Sequence, residues 1–160
     1  MNSEQFSELL SNLGACSDAR AWARGKDLHT VWTTCERGDW LLWLCGKMVD
    51  QAGWPTRKEL VLATCACAET VLPFVNVGDD RPRLAIETAR AWTRGEASVK
   101  EVKTAANAAY SVYSAYYAYS AYYAADSAAD VRTASLAKSA DIVRGIISEP
   151  LTEESVERNV

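Results

Sequence analysis

Apolar positions along this chain follow the period of an α-helix. In the stretch 3–13, apolar residues three and four apart would lie on one face of a helix, and these residues are Phe6, Leu9, Leu10 and Leu13. The stretch 40–49 carries a wider apolar surface, and the stretch 60–72 is apolar nearly all round, as a core helix would be. Because no stretch alternates with the period of two that half-buried strands show, the pattern predicts an all-α protein.

Helix boundaries are marked by capping and breaking residues. Thr56 with Glu59, and Ser98 with Glu101, have the spacing of capping boxes, and Asp39 is a predicted N-cap for the helix that follows it. Glycines and prolines at the ends of the periodic stretches predict the stops, namely Gly14, Gly25, Pro55, Pro73 and Gly95. Together they predict a compact bundle of seven or eight helices in one domain over residues 1–148, followed by an acidic, flexible tail over residues 149–160.

The stretch 105–129 consists almost wholly of Ala, Tyr and Ser and contains two copies of YSAYYA. Its alanines and its lack of Gly and Pro favour one long helix. Five of its seven tyrosines lie three apart and the other two fall between them around the helix, so the rings advance around it and would be buried on most sides. We therefore expect this helix to be the central element of the bundle.

Composition and charge limit the classes of function. The 160 residues include 49% hydrophobic and 24% charged residues, with a net charge of −4. No run of Lys or Arg exceeds two residues, which argues against direct binding of nucleic acid and favours a basic protein partner, such as a nuclease. The N-terminus lacks the basic and apolar regions of a signal peptide, and no apolar run reaches the roughly 18 to 20 residues that span a bilayer. We expect a cytoplasmic protein that does not enter membranes.

Residue types that could support catalysis or metal binding are present, but their spacing is not typical of such sites. The five cysteines and the single histidine, His29, contain no C-x₂₋₄-C pair, so a zinc site is not expected. No recognisable nucleophile motif accompanies His29. The paired acids lie at helix starts or in loops, where carboxylates cap backbone amides. The sequence therefore predicts no enzyme activity, no metal and no cofactor.

Two short turns combine charges of both signs. They are Glu36-Arg37-Gly38-Asp39-Trp40 and Asp79-Asp80-Arg81-Pro82-Arg83. In one interpretation, arginine–carboxylate pairs tie the helix ends together. In the other, the turns form a rim that binds a protein partner with arginine and aromatic anchors. The candidate partner-binding residues are Glu36, Arg37, Asp79, Asp80, Arg81, Tyr113, Tyr116 and Tyr119.

These segments resemble a family of small helical bacterial proteins, the Imm-5-like immunity proteins, which are also carried by phages. The matching pieces run from Ala15 to about Arg144 and include ERGDWLLWL, LVLATCACAETVLPFV, AWTRGE and ADIVR. The resemblance implies a helical, non-enzymatic protein that binds and neutralises a protein toxin. Alternatives are a phage-encoded inhibitor of a host defence system, such as an anti-CRISPR protein, and a structural module that forms homodimers through its tyrosines.

Overall fold

The computed structural model describes residues 1–70, 72–75, 77–109 and 128–151. This part of the chain contains eight α-helical segments and one 3₁₀ turn, and no β-strand occurs in it. The segments are α1 (Ser3–Asn12), α2 (Ser17–Trp22), α3 (Leu28–Thr34), α4 (Gly38–Met48), α5 (Arg57–Glu69), the 3₁₀ turn Leu72–Phe74, α6 (Arg81–Arg94), α7 (residues 99–109) and α8 (Ala128–Ile146). The predicted all-α class is confirmed. Most of the predicted central Ala/Tyr helix lies outside the described residues.

The chain divides into two compact units. The first unit combines residues 1–60 with the residues from 136 onward, and the second unit comprises residues 61–135. The predicted single domain over residues 1–148 therefore stays a prediction.

Local hydrogen bonds define most helix ends, as the sequence predicted. The backbone N–H of Thr56 donates to Glu59 Oε2 at 2.8 Å, and that of Ser98 donates to Glu101 Oε2 at 2.7 Å, so both predicted capping boxes are present. Helix α6 ends at Gly95, whose φ of 81° is a left-handed conformation that glycine adopts without steric cost. One prediction was wrong. Asp39 is not an N-cap, because α4 begins at Gly38 with Arg37 before it, and the Asp39 carboxylate bonds Arg37 instead.

The core of the first unit lies among its four N-terminal helices. Phe6 is 1% exposed, and it belongs to a buried cluster contributed by α1, α3, α4 and the segments beside α2. The cluster comprises Phe6, Leu10, Ala15, Ala23, Leu28, Val31, Leu44 and Met48. These side chains come from several short helices, which would be only marginally stable alone. The helices are therefore stabilised mainly by this packing and less by helix propensity.

Within the first unit, the C-terminal segment contacts residues of the N-terminal part of the chain. Arg144 Nη1 donates to the carbonyl oxygens of Trp32 at 3.1 Å and Cys35 at 2.8 Å, so it caps the end of α3. Glu149 contacts His29 Nδ1 at 2.9 Å, and the backbone N–H of Leu151 donates to the Gly53 carbonyl at 2.9 Å. Residues as far as 151 are therefore tied to the N-terminal helices. The rest of the predicted tail, residues 152–160, lies outside the described part.

In the second unit, helix α6 lies against the later part of α5. The Cys65 thiol contacts the Ile86 carbonyl at 3.8 Å, and both residues are buried. On the exposed side, the Arg90 guanidinium forms two bonds of 2.9 Å with the Glu69 carboxylate. Asp79 and Asp80 lie in the segment that joins the two helices, and Arg81 is the first residue of α6.

Candidate protein-binding site

An open, mostly apolar cavity of about 330 Å³ lies within the first unit. Helices α1 to α4 supply its walls, and Gly14, Ala15 and Cys16 come from the loop between α1 and α2. The lining residues are Phe6, Leu10, Gly14, Ala15, Cys16, Ala19, Trp22, Ala23, Val31, Cys35, Asp39, Trp40, Leu41, Trp43 and Leu44. The cavity is at the small end of the range of ligand pockets, and Asp39 is the one ionisable carboxylate among its lining residues.

Three half-buried tryptophans, Trp22, Trp40 and Trp43, line this cavity. The ring centroids of Trp22 and Trp40 lie 6.0 Å apart with the planes tilted by 60°, which is a favourable geometry for two aromatic rings. Trp43, one turn further along α4, lines the same cavity. Tryptophan contributes a large apolar area with little side-chain entropy to lose, so three of them around one opening favour binding of another molecule.

Each of these tryptophans carries a cation over its ring. Lys26 Nζ lies 4.3 Å from the ring centroid of Trp22, and Lys47 Nζ lies 5.8 Å from that of Trp43. Arg37 Cζ lies 4.2 Å from the ring centroid of Trp40. Such cation–π contacts hold the rings in place and put positive charge beside the cavity.

The first charged turn is tied together by Arg37 and Asp39. The guanidinium donates to the carboxylate from Nε at 2.8 Å and from Nη2 at 2.7 Å. This two-bond pair lowers the pKa of Asp39 and raises the pKa of Arg37, in each case chiefly through the hydrogen bonds between them. Arg37 is therefore fixed between Asp39 and the Trp40 ring. Glu36, beside it, is exposed.

The second charged turn repeats the pattern in the other unit. Arg81 donates to Asp79 from Nε at 2.8 Å and from Nη2 at 2.9 Å, and the Arg81 backbone N–H adds a bond of 3.2 Å. The guanidinium bonds lower the pKa of Asp79. Arg83 Nη2 lies 3.1 Å from Asp80, and Arg83 Nη1 donates to Glu87 at 2.7 Å. Both turns thus contain the arginine–carboxylate pairs of the first interpretation, and the Arg81 side chain is 53% exposed.

The predicted partner-binding residues belong to different parts of the protein. Glu36 and Arg37 lie in the first unit, whereas Asp79, Asp80 and Arg81 lie in the second. The tyrosine candidates, Tyr113, Tyr116 and Tyr119, lie outside the described residues. Whether these residues bind a partner stays a prediction.

Sequence reasoning missed the cavity and the lysines beside it. A signal was available for Lys47, because it follows Trp43 by four residues within α4, whereas Lys26 lies in the loop after α2 and has no helical spacing to Trp22. Side chains four apart on a helix lie on the same face, so this spacing indicates a cation over a ring. That the three tryptophans converge on one opening depends on how α2 packs against α4, which no local spacing shows.

The part of the chain that the structure describes holds neither a group of metal ligands nor a helix suited to a membrane. There, no three side chains of the types His, Cys, Asp and Glu come together as metal ligands would. No helix in that part is both long and apolar enough to cross a bilayer. The five cysteines all lie in that part, and none of them forms a disulfide.

One comparison with known proteins gives a match, which covers slightly less than half of the chain. Residues 54–129 match a protein family described as "Imm-5 like putative immunity protein". The resemblance to Imm-5-like proteins is confirmed over this stretch, which contains α5, α6, α7 and the turn from Asp79 to Arg81. The similar pieces before residue 54 and after residue 129 lie outside the match, as does the whole tryptophan cavity. No curated protein and no solved structure matches the chain.

Proposed function

We propose that this protein is a non-enzymatic inhibitor that binds and neutralises a bacterial protein toxin. The observation that carries the proposal is the match of residues 54–129 to the immunity-protein family. In this mechanism the inhibitor forms a stoichiometric complex and covers the working surface of the toxin. It acts in the cytoplasm, where the toxin would do its damage.

The two charged turns support a binding role because their arginines are ordered before any partner arrives. Asp79 holds Arg81 through two side-chain bonds, and Asp39 holds Arg37 in the same way. An arginine that is already fixed loses less side-chain entropy when it binds, so more of its interaction energy contributes to affinity. Arginine and tryptophan are also the residue types that most often dominate binding energy at interfaces.

The net charge of −4 supports a basic partner, such as a toxin that is itself a nuclease. An overall negative inhibitor would be drawn towards a positive toxin surface and would compete there with nucleic acid. Glu36 and Asp80, both exposed, are the described acids that we place at this interface. Tyr113, Tyr116 and Tyr119 complete the proposed set.

The proposal is tested by capture with the tagged full-length chain from lysates of bacteria that carry candidate toxin genes. The retained protein is identified by mass spectrometry, and the complex is measured by size-exclusion chromatography with light scattering. A complex of fixed stoichiometry that abolishes the activity of the retained toxin would support the proposal. Retention of a host defence nuclease instead would favour the counter-defence alternative, and self-association alone would favour the homodimer. If no protein is retained even at low salt, the inhibitor proposal fails.

A matched pair of substitutions tests the second turn. Arg81→Ala removes a guanidinium that pairs with a carboxylate two residues away, and Arg94→Ala removes one with the same spacing to Glu96. Loss of an ordered interface arginine weakens a complex by about tenfold or more. We expect that loss for Arg81→Ala and less than about threefold for Arg94→Ala. Equal affinity of the two variants for the captured toxin would place the second turn outside the interface.

A further inference from the structure

We propose that the tryptophan cavity of the first unit receives an aromatic side chain of the protein partner, and that acidic residues flank that side chain. The inference rests on the proposed function, because it names the chemistry of one part of the partner. It concerns a site outside residues 54–129, so the family match does not describe it.

The shape of the cavity favours one apolar side chain. Its volume of about 330 Å³ is too small for a folded segment, and its walls carry the aromatic rings of Phe6, Trp22, Trp40 and Trp43. A ring inserted among them would make the edge-to-face contacts that aromatic groups prefer. Insertion would also remove the half-buried indole surfaces from water, which is the main source of affinity at such pockets.

The charges beside the cavity favour carboxylates next to that ring. Lys26, Arg37 and Lys47 each lie over one of the three tryptophans. Asp39 pairs with Arg37 through two bonds, so this positive charge is neutralised within the site. Lys26 Nζ also donates to the Trp22 carbonyl oxygen, a neutral acceptor that leaves its charge in place. The positive charges of Lys26 and Lys47 would attract an incoming acidic segment. They would pair with acids that flank the inserted ring.

Among the lining residues of the cavity, Asp39 is the one with a charged side chain. The three cations lie beside the cavity, over the rings of its tryptophans, and Asp39 pairs with Arg37. Lys26 and Lys47 therefore place positive charge at the tryptophan rings, although the whole chain is negative. A partner that is basic overall would have to present an acidic, aromatic segment here, which makes the contact selective.

Fluorine NMR of the full-length protein labelled with 5-fluorotryptophan tests the inference. Six resonances are expected, one for each tryptophan, and single Trp→Phe variants assign them. The probe is an acetylated, amidated pentapeptide with one phenylalanine between two pairs of glutamates. We expect it to shift the resonances of Trp22, Trp40 and Trp43 and to leave that of Trp92 in place.

Two further peptides separate the apolar and ionic contributions. Replacing the phenylalanine by alanine should abolish the shifts, because the ring supplies the apolar contact. Replacing the glutamates by lysines should weaken binding by about fivefold or more, the effect of losing two exposed ion pairs. Equal binding of the acidic and basic peptides, or no shift with the acidic peptide, would overturn the inference.

Substitutions in the protein complete the test. Lys47→Glu should weaken binding of the acidic peptide by about fivefold. Lys100→Glu changes the net charge equally at an exposed position of helix α7 and should not affect binding. Ala19→Trp should fill the opening and abolish the shifts, provided that the thermal midpoint shows a folded protein. If a captured toxin binds Ala19→Trp as tightly as the unaltered chain, the cavity is not a contact and the inference fails. The proposed function would still stand, because that function fails only if no inhibited partner exists.

Discussion

A β-carbon on Gly38 would lie 2.6 Å from the backbone nitrogen of Ala140. The first residue of α4 therefore packs directly against the backbone of α8, with no room for a side chain. Ser139 lies as close, at 2.5 Å from the same position to its β-carbon. This contact between residues about a hundred positions apart fixes α4, and with it Trp40 and Trp43, relative to the C-terminal helix.

Gly38→Ala is expected to lower the free energy of unfolding by about 2 kcal/mol, because the added methyl group forces two backbones apart. Gly145→Ala in the same helix pair is the control, since nothing lies within 4 Å of its β-carbon position. Replacing glycine by alanine at an open helical position raises the free energy of unfolding by about 0.5 to 1 kcal/mol. Urea denaturation followed by tryptophan fluorescence measures both, and equal stability of the two variants would contradict the contact.

Arg144→Met should destabilise the protein by about 2 kcal/mol, because two carbonyl oxygens at the end of α3 lose a charged donor. The control is Asp141→Asn, which removes the 2.6 Å ion pair of the same arginine but leaves both carbonyl bonds. Asp141 is 76% exposed, so that change should cost less than about 0.5 kcal/mol. The same denaturation experiment compares them. A larger loss of unfolding free energy for Asp141→Asn than for Arg144→Met would mean that the ion pair contributes more to stability than the cap does.

Low pH should weaken the pairing of Arg37 with Asp39 and reduce its contribution to stability. The hydrogen bonds from Arg37 hold the pKa of Asp39 below its ordinary value of 3.8. A lowered folded pKa contributes stability above pH 3.8, and this contribution is lost as the pH falls through the folded value. The urea midpoints of the unaltered protein and of Asp39→Asn should therefore differ at pH 7 and converge as the pH falls through the lowered folded pKa of Asp39. A difference that is constant with pH would exclude a role for Asp39 ionisation.

Thiol reactivity should distinguish Cys16 from Cys45 in the folded protein. Cys16 is exposed, whereas Cys45 is 0% exposed and burial raises its pKa from 9.0 to about 12. Three pKa units reduce the reactive thiolate about a thousandfold at neutral pH, in addition to the steric block. Iodoacetamide followed by peptide mass mapping should modify Cys16 early and Cys45 only on unfolding. Early modification of Cys45 in the Cys16→Ser variant would contradict its burial.

Several helix ends could be predicted because they depend on residues close together in sequence. The boxes at Thr56 and Ser98 each need only one hydroxyl and one glutamate three residues later. Asp39 shows where this logic fails. It has the right type and position for an N-cap, but Arg37 offers two charged hydrogen bonds that compete with the backbone.

The sequence by itself determined that the chain is helical, where most helices begin and end, and that it resembles immunity proteins. These features rest on hydrogen bonds and side-chain periods that act within about four residues. Only the tertiary structure decided that Trp22, Trp40 and Trp43 share one cavity, that Arg144 caps α3, and that Gly38 must lack a side chain. Each of these depends on how separate helices pack, and packing is set by the shapes of many side chains at once.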